Sequence, residues 1–163
     1  MELIIIRHGK AEHAGVVPGG DSARPLTEHG SYQFRKVAQW MVEHQSCPDL
    51  ILHSPLVRTT QTARILQEVA ELDDDFCHPQ NWLGFGLNLE ELLSFVSKTA
   101  YERVAVVAHM PDVARCTSEL IGGGYITFKP GNAACIQFDS VITPGQGSLK
   151  WHLSAPLFNL HSF

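Results

Sequence analysis

Three stretches of this chain are apolar at every position and stop abruptly at a basic or histidine residue. Leu3-Ile4-Ile5-Ile6 runs into Arg7-His8, Leu50-Ile51-Leu52 into His53, and Val104-Ala105-Val106-Val107-Ala108 into His109. A strand with one wet face alternates polar and apolar residues. A strand that is apolar throughout must be covered on both faces, as in a parallel sheet. The segments between these runs carry helical spacing instead. Phe34, Val37, Ala38 and Met41 recur behind Thr27, a capping residue with Glu28 in the first turn. Leu56, Ala63, Leu66 and Ala70 follow Ser54-Pro55, which reads as a cap with proline at the first helical position. Asn88 and Glu91 open a helix carrying Leu89, Leu92, Leu93 and Val96. Pro111 opens another, with Val113, Cys116, Thr117, Leu120 and Ile121 on its stripe and Gly122-Gly123-Gly124 as its stop.

Strands alternating with helices predict an α/β fold: three layers, α/β/α, with a mostly parallel central sheet and helices on both faces. At 163 residues the expectation is a single domain over 1–163. Ala133 to Phe138 and Ser148 to Ser154 add β structure near the C-terminal end. Residues 76–87 read as irregular and the last nine as a tail.

Composition narrows the function. Twelve Lys plus Arg against seventeen Asp plus Glu leave a net charge of −5, which argues against nucleic acid and against an anionic membrane surface as partners. Cys47, Cys77, Cys116 and Cys135 have no zinc-ligand spacing, and Asp73-Asp74-Asp75 reads as a solvated turn with no partner cluster. No segment has the pattern of a leader or the length of a membrane span. The expectation is a cytoplasmic protein with free, mostly buried thiols.

Open α/β sheets bind ligands beyond the carboxyl ends of their strands. Those ends are Arg7-His8-Gly9, His53-Ser54-Pro55 with Arg58 one turn on, and His109. If the three strands are neighbours, two arginines and two histidines converge where two helices begin. Fixed cations and unpaired N–H groups in an acidic protein suit a small tetrahedral anion such as phosphate or sulfate, and do not suit a polymer.

Four motifs then stand in order: Ile5-Ile6-Arg7-His8-Gly9-Lys10-Ala11, Arg24-Pro25-Leu26-Thr27-Glu28-His29-Gly30, Ser54-Pro55-Leu56-Val57-Arg58-Thr59-Thr60-Gln61-Thr62-Ala63, and Val106-Val107-Ala108-His109-Met110-Pro111. Together they resemble the histidine phosphatase superfamily, with its phosphoglycerate-mutase-like fold, and within it the small SixA-type phosphohistidine phosphatases. The resemblance implies that His8 is a nucleophile that carries the phosphoryl group as phosphohistidine, and that Arg7, Arg58 and His109 hold the phosphoryl oxygens. It implies that no metal and no other cofactor takes part. Arg24 either lines the pocket or pairs with a surface acid. Lys10 reads as rim or surface, and His13, His29, His44, His53, His78, His152 and His161 as surface or core residues.

Two departures bear on activity. Mutase-like relatives and many phosphatases of the superfamily carry Thr and Asn shortly after Arg-His-Gly, where this chain, like the SixA-type group, has Ala11 and Ala14. Larger enzymes of the family bear an acid after the Ser-Pro-x-x-Arg helix; Asn81-Trp82-Leu83-Gly84-Phe85-Gly86 has none and reads as core or pocket rim. The expected substrate is therefore phosphohistidine on another protein, a phosphotransfer domain of a signalling relay or a sugar-uptake phosphocarrier. The alternatives are a phosphatase of a small phosphate ester and a non-catalytic phosphate-binding regulatory module.

Overall fold

A computed structural model describes residues 1–16 and 18–158. Six strands form one sheet: β1 (Glu2–Arg7), β2 (Leu50–His53), β3 (Cys77–Pro79), β4 (Arg103–Ala108), β5 (Ala133–Gln137) and β6 (Ser148–Leu153). Their order is β3-β2-β4-β1-β5-β6. The first four are mutually parallel; β5 and β6 complete the sheet antiparallel. Four helices, α1 (Glu28–Glu43), α2 (Val57–Val69), α3 (Leu89–Val96) and α4 (Asp112–Ile121), cover it. This is the mostly parallel, two-face-covered α/β sheet that the apolar runs predict.

The period of two in a strand divides each run between two cores. Leu3, Ile5, Leu50, Leu52, Val104 and Val106 pack with Leu92 and Val96 of α3 and with Val113, Cys116 and Leu120 of α4. Ile4, Ile6, Ile51, Ala105 and Val107 point the other way, onto Phe34, Val37 and Met41 of α1 and onto Ala63 and Leu66 of α2. Phe34 is fully buried. Replacing it with alanine costs about 3–5 kcal/mol of stability.

Register brings the three strand ends level. Ile6 and His53 both pair with Val107 of β4, and Arg7 pairs with Ala108. The ladders run one residue past the strands, with the His8 amide donating to the Ala108 carbonyl and the Ser54 amide to that of Val107. His8, Ser54 and His109 therefore lie side by side on one edge.

Local capping follows the sequence in two places. Thr27 Oγ1 accepts from the Gly30 amide, and Asn88 Oδ1 from the amides of Glu90 and Glu91. Gly30 has a second duty, because a Cβ there would collide with the Lys10 backbone. That approach carries the Arg7-His8-Gly9 segment across the start of α1.

Three expectations are corrected. Ser54 is not the cap of α2, which starts at Val57 behind Leu56 with no side-chain cap; the Ser54 hydroxyl accepts only a long 3.5 Å bond from the Leu56 amide and lies 2.8 Å from His109 Nε2. Residues 76–87 contain β3, a three-residue edge strand whose Pro79 sits where an outer strand tolerates a missing donor. The C-terminal segment is not all tail: Ala155 is fully buried and its amide donates to Asn132 Oδ1. His161 lies outside the described residues. Of the cysteines, Cys77, Cys116 and Cys135 are buried and Cys47 is partly so, all with free thiols. No helix among the described residues is long and apolar enough to cross a membrane.

Candidate active site

The structure brings Arg7, His8, Arg58 and His109 together at the carboxyl edge of β1, β4 and β2. The rings of His8 and His109 are 5.2 Å apart. His8, Arg58 and His109 are each less than a tenth exposed. His8 Nδ1 lies 2.7 Å from the Gly9 carbonyl oxygen. A carbonyl can only accept, so Nδ1 carries the proton and Nε2 keeps its lone pair. The Gly9 amide in turn donates to Thr62 Oγ1 at 3.1 Å, and that hydroxyl donates to the Arg58 carbonyl at 2.7 Å. One threonine thus ties the Arg7-His8-Gly9 turn to the helix that presents Arg58.

Burial pushes the His8 pKa down to about 3, and the charges of His109, Arg58 and Arg7 act in the same direction; the Gly9 bond opposes them. Burial also pushes His109 down to about 4, with Arg58 and Arg7 lowering it and Asp112 and Asp21 raising it. At neutral pH both rings are uncharged, so the fixed positive charge belongs to the arginines.

Arg7 donates from Nη1 to the Phe128 carbonyl at 2.6 Å. Its Nε, the Nε of Arg58 and Nδ1 of His109 are buried and have no protein partner. A buried polar nitrogen left unpaired costs about 1–3 kcal/mol. The same holds for Arg24 Nε and Trp151 Nε1; those on Arg7, Arg58 and His109 belong to the side chains grouped around His8, where an acceptor could satisfy them. His109 Nε2 is 2.8 Å from Ser54 Oγ.

The loop between β1 and α1 adds residues that its irregular sequence concealed. It closes through an Ala11–Leu26 bridge and is pinned to α2 by the Leu26 amide on Gln61 Oε1. A short turn at Asp21–Ala23 then sets Asp21 against the clamp. Arg58 donates from Nη1 to the Asp21 carbonyl at 2.7 Å and from Nη2 to its carboxylate at 3.0 Å. Arg24 donates to the other carboxylate oxygen, also at 3.0 Å. Arg24 therefore does pair with an acid, and that acid is the one resting on Arg58. The sign of its side chain was the only cue to Asp21.

Two further groups border the site. The Phe85 ring lies 5.0 Å from His109 and 5.7 Å from the Arg58 guanidinium carbon, yet it is 68% exposed. Asp112, the first residue of α4, is buried; its carboxylate accepts from the Gly86 amide and from Arg115. Lys10 is exposed. Of the remaining histidines, His13 and His44 are exposed, His44 stacking on Trp40, while His53 is buried one residue before Ser54. Among the described residues no three His, Cys, Asp or Glu side chains are grouped to hold a metal ion.

The model of the histidine phosphatase superfamily (branch 1) matches residues 3–76, the segment that supplies Arg7, His8 and Arg58. A protein from Picosynechococcus, itself uncharacterized, is 33% identical over 129 residues, 76% of this chain and 74% of its own. Phosphohistidine phosphatase SixA of Escherichia coli is 26% identical over 168 residues, 94% of each chain. The solved structure of the protein histidine phosphatase SixA complexed with tungstate superposes with a TM-score of 0.85 at 24% identity, over 98% of this chain and 100% of that one. This chain belongs to the histidine phosphatase superfamily. It is a hydrolase acting on phosphoryl groups. The likeness to SixA extends over nearly the whole fold, including the antiparallel β5–β6 end that the family match does not reach.

Proposed function

We propose that this histidine phosphatase works without a metal, through a phosphohistidine intermediate on His8, and that its substrate is phosphohistidine on a signalling or phosphotransfer protein. In the first step His8 Nε2 attacks phosphorus in line. A P–N bond to His8 forms as the bond to the leaving group breaks, and the electron pair departs with that group. Water then attacks the phosphoryl-enzyme, and inorganic phosphate and neutral His8 are released. The Gly9 carbonyl keeps the nucleophilic nitrogen unprotonated throughout. Arg7 and Arg58 neutralise charge on the equatorial oxygens. His109 joins them as a donor: with Ser54 giving its hydroxyl proton to Nε2, Nδ1 carries the proton toward the phosphoryl oxygens. The tungstate bound to SixA is a tetrahedral oxyanion of the kind this donor set suits.

The leaving group follows from the carboxylates. Both oxygens of Asp21 accept from arginines, and both oxygens of Asp112 accept from Gly86 and Arg115. Neither is poised to hand over a proton. This is the single observation that carries the substrate assignment. An alkyl ester would have to expel an alkoxide, whose conjugate acid is about as weak as water, pKa ≈ 15.7. A positioned acid contributes ~100- to 10,000-fold to such a step. Phosphohistidine takes a proton from solvent on its own ring and leaves as neutral imidazole, whose conjugate acid has a pKa of about 6.5. Free thiols fit action in a reducing cytoplasm.

The test is kcat/KM at one pH for a phosphohistidine protein, an aryl phosphate and an alkyl phosphate. The expected order is the order just given. Equal or better turnover of the alkyl ester would overturn the assignment and make Asp21 the acid to examine.

A further inference from the structure

Phe85 is not part of the core. It is 68% exposed, while Leu83 and Leu87 on either side are buried and anchor the segment to the core. The backbone that holds it out is firmly fixed. Gly86 adopts φ +82°, a conformation that suits glycine. The Gly86 amide donates to Asp112 at 2.9 Å, and Arg115 donates to the Leu87 carbonyl at 3.0 Å. Asp112 thus binds both the loop and the arginine that supports it. The result is an aromatic ring tilted 32° against His109 and set over the Arg58 guanidinium, with most of its surface still facing solvent.

From this placement we propose that Phe85 is a specificity-determining residue: it offers a stacking surface to a planar aromatic leaving group bound beside the phosphoryl clamp. The inference rests on the hydrolase reading above and deepens it. A leaving group must extend from phosphorus away from His8 and out of the clamp, and the apolar surface described at that rim is the Phe85 ring. An imidazole, above all one that has taken up a proton, gains from an aromatic face through both stacking and cation–π attraction. An alkyl alcohol or ammonia gains neither. Phe85 therefore acts on the same choice that the engaged carboxylates of Asp21 and Asp112 make, but through shape instead of proton supply.

The experiment compares Phe85→Leu, which keeps apolar bulk, and Phe85→Tyr, which keeps the ring. Each is assayed on a phosphohistidine protein, phenyl phosphate, a small alkyl phosphate and phosphoramidate. At an exposed site neither change threatens the fold. The readout is a ratio, kcat/KM for ring leaving groups over kcat/KM for the others. In Phe85→Leu that ratio should fall about 2- to 10-fold, the range of a single aromatic pair, and in Phe85→Tyr it should hold. A loss of equal size on all four substrates would overturn the proposal and make Phe85 a cover for His109 and Arg58. An unchanged ratio would overturn it as well. If the wild type cleaves phenyl phosphate and not the phosphohistidine protein, the substrate assignment fails while the ratio of phenyl to alkyl phosphate still decides the role of Phe85. No turnover of any of the four would sink both.

Discussion

Two strand ends in this molecule carry the same local device with different surroundings. At the end of β1, His8 Nδ1 donates to the carbonyl of the next residue, Gly9, at 2.7 Å. At the end of β2, His53 Nδ1 lies 2.8 Å from the carbonyl of its own next residue, Ser54. Both rings are buried, and burial lowers the pKa of each. Tautomer control and desolvation are thus common to the two. The neighbours differ. Around His8 stand Arg7, Arg58 and His109; around His53 stand Thr60, Arg64 and His78, with Arg64 turned to Asp74. A histidine with its lone pair exposed to a cationic clamp can attack a dianion. The same histidine packed between helix and sheet cannot. On the proposed mechanism, then, a nucleophile is made by what converges on the ring, and the local geometry only readies it.

The largest effect should come from removing the ring that the clamp surrounds. His8→Ala should abolish turnover with the fold intact, since water in the vacated space would lack the covalent route. Quenching the wild type on labelled substrate should trap acid-labile, base-stable phosphate on the protein, absent in His8→Ala. Label on a serine, or on His53, would erase the difference between the two strand ends.

Next comes the clamp itself. Arg58→Lys keeps charge and loses the planar fork that gives two parallel N–H bonds. A donor lost from a transition-state site is worth roughly 2.7–4 kcal/mol, about 100- to 1,000-fold in kcat. A variant within a few-fold of wild type would place Arg58 outside the reaction. Asp21→Ala should act in the opposite direction and more weakly. Arg58 spends both terminal nitrogens on Asp21. An incoming oxyanion must share them, so freeing the side-chain bond should tighten vanadate inhibition by about 2- to 5-fold, the range of a partly exposed ion pair. Weaker inhibition would show that Asp21 aligns Arg58 and does not compete for it.

Acid titration sharpens the contrast further. In the unfolded chain His8 has an ordinary pKa near 6.5; folded, it is near 3. Between those values the unfolded state binds a proton that the folded state refuses, so stability falls as pH drops from neutral toward 4. His8→Gln has no such proton. In phosphate-free buffer the variant should therefore gain stability relative to wild type on going from pH 7 to pH 4.5, measured by urea melts. A difference independent of pH would mean that His8 is protonated in the folded protein.

The sequence made the architecture and the grouping of four candidate site residues legible for one reason. Apolar runs ending at Arg7-His8, His53 and His109 are local patterns, and a parallel sheet turns local patterns at strand ends into neighbours. What it hid depends on contacts between distant segments. Asp21 meets Arg58 from 37 residues away, out of a Gly- and Pro-rich loop with no period to read. Ser54 looked like a helix cap because serine before proline usually is one; a histidine 55 residues on claims its hydroxyl. β3 is three residues long, too short for a pattern of two to declare itself. Phe85 was legible only as bulk, since an aromatic residue between glycines is core or rim until burial is known.

The smallest effect should come from the other strand end. His53→Gln replaces the ring with an amide whose N–H can still donate to the Ser54 carbonyl, and Thr59 Oγ1 donates to that same carbonyl at 2.8 Å. The Ser54 backbone is therefore held twice, and its hydroxyl should stay on His109. Turnover should remain within a few-fold of wild type, and the loss should appear in stability instead, because His53 is 3% exposed and the amide does not fill the volume of the ring. The two quantities separate the roles. A large fall in kcat with unchanged stability would mean that His53 reaches the clamp through Ser54 and His109, and the two strand ends would then belong to one catalytic unit.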